Sequence, residues 1–149
     1  MRVLGIDIGR RRIGLAISDP SGTLARPLAT LQVRSATDEV ARLMREIDRL
    51  SAERDGLSAI VVGLPARLDG SPTHETDRAI RLVSSLRRLT VVPVFTEDER
   101  LTSREAESRL ALGERDWRKR KEKLDAAAAA VMLQDYLDRP PPDRGPVRA

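Results

Sequence analysis

Three acidic positions stand where a carboxylate could carry chemistry, and the first interrupts an apolar run. Asp7 lies between two glycines in Gly5-Ile6-Asp7-Ile8-Gly9. Burying an isolated carboxylate costs free energy, so an acid in such a run needs a partner, and several carboxylates can share one hard divalent cation. Glycines beside the acid would let a phosphate or a water approach the backbone. The alternative is an exposed Asp on an edge strand, with glycines that serve only the adjoining turn.

The second position is the acidic cluster Glu97, Asp98 and Glu99, which follows an apolar segment at Val91–Phe95. Ligands of open α/β sheets bind at the carboxyl ends of strands, which favours a binding or catalytic site here. Negative charge is also favourable at the start of any helix, and a helix is predicted shortly afterwards. Position in the sequence leaves both interpretations open.

The third position is Asp125, which opens an alanine-rich segment. Its neighbours at helical spacing, Ala128, Ala129 and Met132, are small or apolar, so a helix here could lie close on a sheet and direct the carboxylate toward it. An Asp before a run of alanines is also typical of a helix N-cap. Judged on this residue alone, the cap is the favoured interpretation.

Hydrophobic patterning predicts the elements that must position these acids. Short apolar runs between turn residues indicate strands, and apolar residues at helical spacing indicate helices. The predicted strands are Val3–Ile8, Ile13–Ser18, Leu24–Val33, Ala59–Gly63 and Val91–Phe95; the predicted helices run from about Thr37 to Gly56, through Ala79–Leu86, from a capping box at Thr102 and Glu105 to about Gly113, and from about Lys119 to Leu137. A polar loop is expected at Pro65–Pro72. The order βββαβαβαα predicts an α/β fold with a mixed five-stranded sheet between helices.

Length and composition set the class of protein. The chain has 149 residues, of which 1–138 are predicted to form one domain and 139–149 a disordered, proline-rich tail; Pro140–Ala149 is expected to be dispensable for folding and catalysis. A single Phe, Trp and Tyr predict an aliphatic core and argue against an aromatic platform for stacked bases. The absence of cysteine excludes disulfides, thiolate zinc sites and cysteine nucleophiles, and fits a cytoplasmic protein without a leader or membrane span. The formal charge of +4 favours polyanionic partners, although a solvated basic surface gives the same balance.

Four blocks of the sequence, in order along nearly the whole chain, together resemble the YqgF/RuvX family. The blocks are Gly5–Gly9 with Arg12–Asp19, then Val62–Pro65 with Asp69–Ser71, then Asp98–Ser103 with Glu105 and Ala106, and finally Asp125 with Ala127, Ala128, Leu133, Gln134, Tyr136 and Leu137. The resemblance implies a ribonuclease H-like fold in a cytoplasmic bacterial protein. It also implies a nuclease that processes the 5′ end of precursor 16S ribosomal RNA, and members of the family have been described as Holliday-junction resolvases as well.

The resemblance also assigns the site. Asp7, Glu99 and Asp125 take the catalytic and metal-binding positions, and Asp98 competes with Glu99 for the second position. Relatives in the junction-resolvase branch carry an acid at the end of the fourth strand, where this chain has Gly63-Leu64-Pro65, so the second acid must come from the following strand. An all-carboxylate site suits Mg²⁺ or Mn²⁺, either of which would activate a water for phosphodiester hydrolysis.

Basic residues near these blocks are candidates for holding the phosphates of a nucleic acid. Arg10 and Arg12 lie in the first turn, Arg100 adjoins the acids, and Lys121 belongs to a basic run before Asp125. The ordinary interpretation of that run is a solvated helix face. The expected partners are structured RNA, branched DNA and ribosome-assembly factors, with the chain as a monomer or a homodimer.

Two other functions fit parts of the sequence. Sugar kinases and actin-like ATPases share the same core and a similar Asp7-Ile8-Gly9 loop, but they pair two such domains around a nucleotide, and this chain has the length of one. A non-catalytic RNA-binding module for ribosome assembly fits the basic balance, but converging carboxylates would repel phosphates unless a cation intervened. The single histidine, His74, is interpreted as a solvated residue at a helix start rather than a catalyst.

Overall fold

The computed structural model describes residues 1–65, 71, 73–98 and 117–139 of the chain. The elements, in order, are β1 (Arg2–Ile8), β2 (Arg12–Ser18), β3 (Ala25–Gln32), α1 (Ala36–Ala52), β4 (Leu57–Leu64), α2 (His74–Leu89), β5 (Val94–Asp98) and α3 (Trp117–Asp138). The helix predicted from Thr102 to Gly113, most of the loop predicted at Pro65–Pro72 and the tail from residue 140 lie outside the described residues.

The five strands form one mixed sheet in the order β3-β2-β1-β4-β5. The pairs β1–β2 and β2–β3 are antiparallel, and β4 lies parallel to both β1 and β5. This arrangement confirms the predicted sheet, with β1 as its central strand. An edge-strand position for Asp7, the alternative that the sequence left open, is therefore wrong.

Helices cover both faces of the sheet, as the element order predicted. Alternate residues of each strand point to opposite faces. Leu4, Ile6 and Ile8 of β1 belong to the core beneath α1 and α2, whereas Val3 of β1 packs with Met132 and Leu133 of α3. Both cores are built almost entirely from aliphatic side chains, and the α3 face adds the paired rings of Phe95 and Tyr136, whose centroids lie 6.2 Å apart.

The last strand lies further along the chain than predicted. The apolar run suggested Val91–Phe95, but β5 spans Val94–Asp98, and the side chain of Val91 is 95% exposed. The parallel ladder with β4 determines this register, because Ile60 pairs with Val94 and Leu64 pairs with Asp98. Glu97 and Asp98 are consequently residues of the strand, not of the loop after it.

The helix starts follow local hydrogen bonding. Ser35 caps α1, and Thr73 with Thr76 forms a capping box at α2 that the sequence analysis did not identify. The final helix begins at Trp117, two residues before its predicted start, so Asp125 lies well inside α3 and its interpretation as an N-cap is wrong. Within the described parts of the chain, every helix is too short or too polar to cross a bilayer.

Candidate active site

Asp7 is a buried acid on the central strand of the sheet. It is the sixth residue of the central strand, its neighbours Ile6 and Ile8 point into the α1/α2 core, and it is only 9% exposed. By alternation its side chain lies on the α3 face, with Val3 and Gly5. Burying a carboxylate costs free energy unless its charge is compensated, so the groups around Asp7 must supply that compensation.

Helix α3 approaches the sheet closely because the strands beneath it carry glycine. A Cβ added at Gly5 would lie 3.0 Å from Leu133 Cβ, which is tighter than ordinary packing. A Cβ added at Gly14 would overlap the main-chain carbonyl oxygen of Asp125. The backbone of α3 therefore lies directly against β2. The sequence predicted such a close approach from the small residues of α3, Ala128 and Ala129.

This contact brings Asp125 to Asp7. Gly14, on which the Asp125 backbone rests, is the antiparallel partner of Asp7, and the Cα atoms of such partners lie about 5 Å apart. The Asp125 carboxylate also approaches the end of the same strand, because a Cβ at Gly9 would lie 3.9 Å from Asp125 Oδ1. Two of the three predicted acids thus meet on one face, at the carboxyl end of β1.

Arg12 contacts one of these acids directly. Its Nε lies 3.1 Å from Asp125 Oδ2, and each side chain is 25% exposed. The sequence analysis placed Arg12 among the phosphate-binding residues; the structure places it within the acidic site, with enough exposure to face a ligand. An arginine here balances the charge of the gathered carboxylates and holds Asp125 in position.

Strand β5 presents its two described acids to opposite faces. Glu97 pairs with Gly63, which lies one residue beyond the Ile6–Val62 pair, so Glu97 shares the face and the row of Asp7. Two strand spacings separate them, or about 10 Å between Cα atoms. Asp98 alternates to the other face and is exposed. Glu99 and Arg100 lie outside the described residues, as does the side chain of Lys121.

The carboxylate of Glu97 has a cationic partner. It is buried and forms an ion pair with Arg139, the residue after the end of α3. Arg139 had been assigned to the tail, and its contact ties the end of α3 to the last strand. Glu97 is thereby neutralised by the protein itself.

Arg78 holds the turn that follows Asp7. Its Nη1 donates hydrogen bonds to the carbonyl oxygens of Gly9, at 2.5 Å, and of Arg10, at 3.1 Å. Its Nη2 lies 2.6 Å from Oε1 of Glu39, a carboxylate whose side chain is only 4% exposed. Helices α1 and α2 are thus joined to the β1–β2 turn through one guanidinium.

The Glu39–Arg78 pair was not predicted, although the sequence carries a signal for it. Glu39 continues the buried stripe of α1 formed by Leu43, Ile47 and Leu50. An acid in an apolar stripe requires a buried cation nearby, and α2 supplies Arg78. His74, by contrast, is exposed at the first residue of α2, in agreement with its interpretation as a helix-start residue.

Comparison with known proteins identifies one family of nucleases. A family model described as "RuvX: Holliday junction resolvase" matches residues 1–139. Relatives named "Putative pre-16S rRNA nuclease" include a protein of Desulforudis audaxviator, 38% identical over 93% of this chain and 94% of the relative. A second, from Anaeromyxobacter sp. (strain Fw109-5), is 40% identical over 93% of this chain and 97% of the relative.

A solved structure gives the fold. RuvC of T. thermophilus in complex with a Holliday junction substrate aligns with a TM-score of 0.52 at 21% identity, over 89% of this chain and 91% of that chain. At this identity the alignment concerns the fold alone. It confirms the ribonuclease H-like architecture that the sequence predicted.

Proposed function

The chain belongs to the RuvX family of Holliday junction resolvases, and on that premise we propose that it is a divalent-metal-dependent nuclease that processes the 5′ end of precursor 16S rRNA. The match extends over nearly the full length of relatives that carry this name. A cytoplasmic location belongs to the same proposal, as does action as a monomer or a homodimer. The lack of cysteine fits the cytoplasm, and the basic balance of the chain fits a nucleic-acid substrate.

The observation that carries the proposal is the meeting of Asp7 and Asp125. A buried acid of the central strand and an acid inside α3 share one face, and the helix can approach only because Gly14 lacks a side chain. Arg12 offsets part of this negative charge through its ion pair with Asp125, and a divalent cation held by both carboxylates would offset the repulsion that remains. A protein that only bound RNA would gain nothing from this arrangement, since the carboxylates would also repel phosphates.

The donor set fits Mg²⁺ or Mn²⁺. Asp7 and Asp125 offer carboxylate oxygens, which hard cations prefer, and no group of three or more potential ligands is gathered within the described ranges. We therefore assign the third carboxylate to Glu99, which follows the described end of β5. When bound, the ion would lower the pKa of a water and stabilise charge on the leaving oxygen. In the hydrolysis, the oxygen of one water bonds to phosphorus, one phosphorus–sugar oxygen bond breaks, and the departing oxygen takes up a proton.

Asp98 and Glu97 are the two alternatives to Glu99, and the geometry of β5 favours neither of them. Asp98 has its side chain on the face opposite Asp7, and Glu97 is neutralised by Arg139. We expect Glu99→Gln to abolish cleavage, whereas Asp98→Asn retains it. Comparing the cleavage rates of Glu97→Gln, Asp98→Asn and Glu99→Gln at equal metal concentration assigns the position.

Four basic residues complete the proposed site. Arg12 holds Asp125 and faces the substrate; Arg10, Arg100 and Lys121 hold phosphates on either side of the reacting one. Arg12→Ala should therefore weaken substrate binding, and the loss should shrink at high salt.

A junction-resolving nuclease on branched DNA is the second candidate, and the description of the matching family favours it. The test incubates the purified chain with precursor 16S rRNA 5′-end fragments and with four-way DNA junctions, in Mg²⁺, in Mn²⁺ and in EDTA, beside Asp7→Asn. Metal-dependent cleavage of the RNA by the wild type alone supports the proposal. Cleavage of junctions but not of RNA favours the second candidate, and no cleavage by the wild type under any condition contradicts both.

A further inference from the structure

A groove lined by arginines lies on the other side of the sheet from the acids. It has a volume of about 770 Å³ and runs between the start of α1, the middle of α2 and the β1–β2 turn. Its basic side chains are Arg10, Arg11, Arg34, Arg78 and Arg81. Val33, Val40 and Leu82 form its apolar lining.

Most of the arginines in this groove form no ion pair with the described part of the chain. Of the acids nearest to it, Glu39 is paired with Arg78, and Asp38 lies 3.1 Å from Nε of Arg42. The remaining four arginines, Arg10, Arg11, Arg34 and Arg81, are exposed, and none forms an ion pair with another described residue. Asp38 also lies close to Arg34: a hydrogen bond from the Arg34 backbone, the side chain of Arg42 and the charge of Arg34 all lower the pKa of Asp38. The net field of the groove therefore comes mainly from Arg10, Arg11 and Arg81, and it attracts a polyanion.

The groove and the acids lie at the same edge of the sheet. Strands β1, β3 and β4 run in the same direction, so the turn after β1, the start of α1 after β3 and the start of α2 after β4 all follow carboxyl ends of strands. Arg10 is three residues from Asp7, which limits the separation of their Cα atoms to about 11 Å. A nucleic-acid strand that passes the acids can therefore continue across this edge into the groove.

Arg78 holds one side of the groove in a fixed position. The buried Glu39 holds the guanidinium of Arg78, which donates hydrogen bonds to the carbonyls of Gly9 and Arg10. These bonds keep the turn that carries Arg10 and Arg11 at a fixed position relative to α2. Fixed cations lose less conformational freedom on binding than free ones do. The chemistry of the groove, with planar guanidinium groups and almost no base-reading amides, suits phosphates rather than base edges.

We propose that this groove binds the phosphodiester backbone of the same RNA whose scissile phosphate lies at Asp7 and Asp125, with Arg34 and Arg81 as contacts distant from the acids. The proposal rests on the proposed function for the identity of the RNA. The groove would act without reading sequence and would guide the substrate strand over the edge of the sheet toward the acids.

The test measures RNA affinity in EDTA, where no cleavage occurs, with a labelled fragment of the precursor 16S rRNA 5′ end. The groove variant is Arg34→Glu/Arg81→Glu, and its matched control is Arg45→Glu/Arg88→Glu. The control changes the net charge equally at two exposed positions outside the groove, Arg45 on α1 and Arg88 on α2. Thermal melting checks that both variants fold.

We expect the groove variant to bind at least about tenfold more weakly at roughly 100 mM salt, and to reduce the slope of log affinity against log salt by about 2. The control should bind within about threefold of the wild type, because distant exposed charges are screened. Arg34→Gln/Arg81→Gln should lose the same slope, since it removes the contacts without adding repulsion.

Equal affinities of the groove and control variants, or a groove variant with an unchanged salt slope, would overturn the proposal. Neither result depends on catalysis. If the proposed function is wrong, the wild type fails to cleave the RNA in Mg²⁺ or Mn²⁺, whether or not the groove binds it.

Discussion

The two faces of the sheet differ in how closely their helices approach. Beneath α1 and α2 the strands carry large aliphatic side chains such as Ile6, Ile13 and Leu15, all fully buried. Beneath α3 the same strands carry Gly5 and Gly14, and the helix backbone lies against them. Strand alternation lets β1 and β2 supply both surfaces at once. We call the face covered by α1 and α2 the thick face, and the face covered by α3 the thin face. The aliphatic packing of the thick face stabilises the fold. The close approach of α3 on the thin face lets carboxylates from a strand and a helix meet.

The faces also differ in how each holds the β1–β2 turn. On the thin face, Arg12 at the end of the turn pairs with Asp125 at partial exposure. On the thick face, Arg78 reaches the turn carbonyls from a buried pair with Glu39. Ion pairs that retain solvent contribute little to stability, whereas breaking a buried pair is costly. The turn is therefore fixed mainly from the side opposite the acids.

The largest loss of stability and activity is expected when a side chain is added between α3 and the sheet on the thin face. In Gly14→Ala the added methyl overlaps the Asp125 carbonyl, so α3 must move away from the sheet. We expect a loss of about 3 kcal/mol in the free energy of unfolding and loss of cleavage. Denaturant unfolding and the cleavage assay measure the two. Gly22→Ala is the control, because Gly22 has open space around it. Its positive φ of 69° should cost the variant about 1 kcal/mol of strain. The cleavage rate of this control should be unchanged. A stable, active Gly14→Ala would contradict the close contact.

The second prediction concerns the contacts of Arg78 on the thick face, which we call the clamp: its ion pair with Glu39 and its hydrogen bonds to the carbonyls of Gly9 and Arg10. Arg78→Ala leaves Glu39 buried without its partner, which should lower the free energy of unfolding by about 3 kcal/mol. Glu39→Leu/Arg78→Met replaces the pair with apolar groups and should recover most of that stability. It should not recover RNA binding, because the carbonyls of Gly9 and Arg10 still lack their donor. Full recovery of binding would show that the clamp does not position the turn.

The smallest effect lies at the opposite edge of the sheet, away from the site. Asp19 accepts hydrogen bonds from the backbone of Leu24, the hydroxyl of Ser21 and the backbone of Thr23, and these lower its pKa from 3.8 to about 2. A lowered folded-state pKa contributes stability above the unfolded value, and that stability is lost as the pH falls toward 2. Between pH 5 and pH 2 the melting temperature of the wild type should therefore fall slightly more than that of Asp19→Asn. Parallel curves for the two proteins would contradict the shift.

The sequence predicted much of this molecule because local patterns determine much of it. Strand alternation located β1 with its buried acid, and helical spacing identified the alanine-rich face of α3. Tertiary pairing determined the rest. The register of β5 depends on β4 rather than on the apolar run at Val91, and the role of Asp125 depends on where α3 begins. The apolar stripe of α1 marks Glu39 as an acid that needs a cation, but Arg78 lies 39 positions away, and no local pattern identifies it as the partner.

The central claim is that Asp7 and Asp125 hold one divalent cation together. Calorimetric titration of Mn²⁺ into the metal-free wild type, Asp7→Asn, Asp125→Asn and the exposed control Asp48→Asn tests it without requiring a substrate. The account predicts that both site variants bind Mn²⁺ at least about tenfold more weakly than the wild type, because each loses an anionic ligand, and that Asp48→Asn binds as the wild type does. Wild-type affinity in both Asp7→Asn and Asp125→Asn would contradict the account.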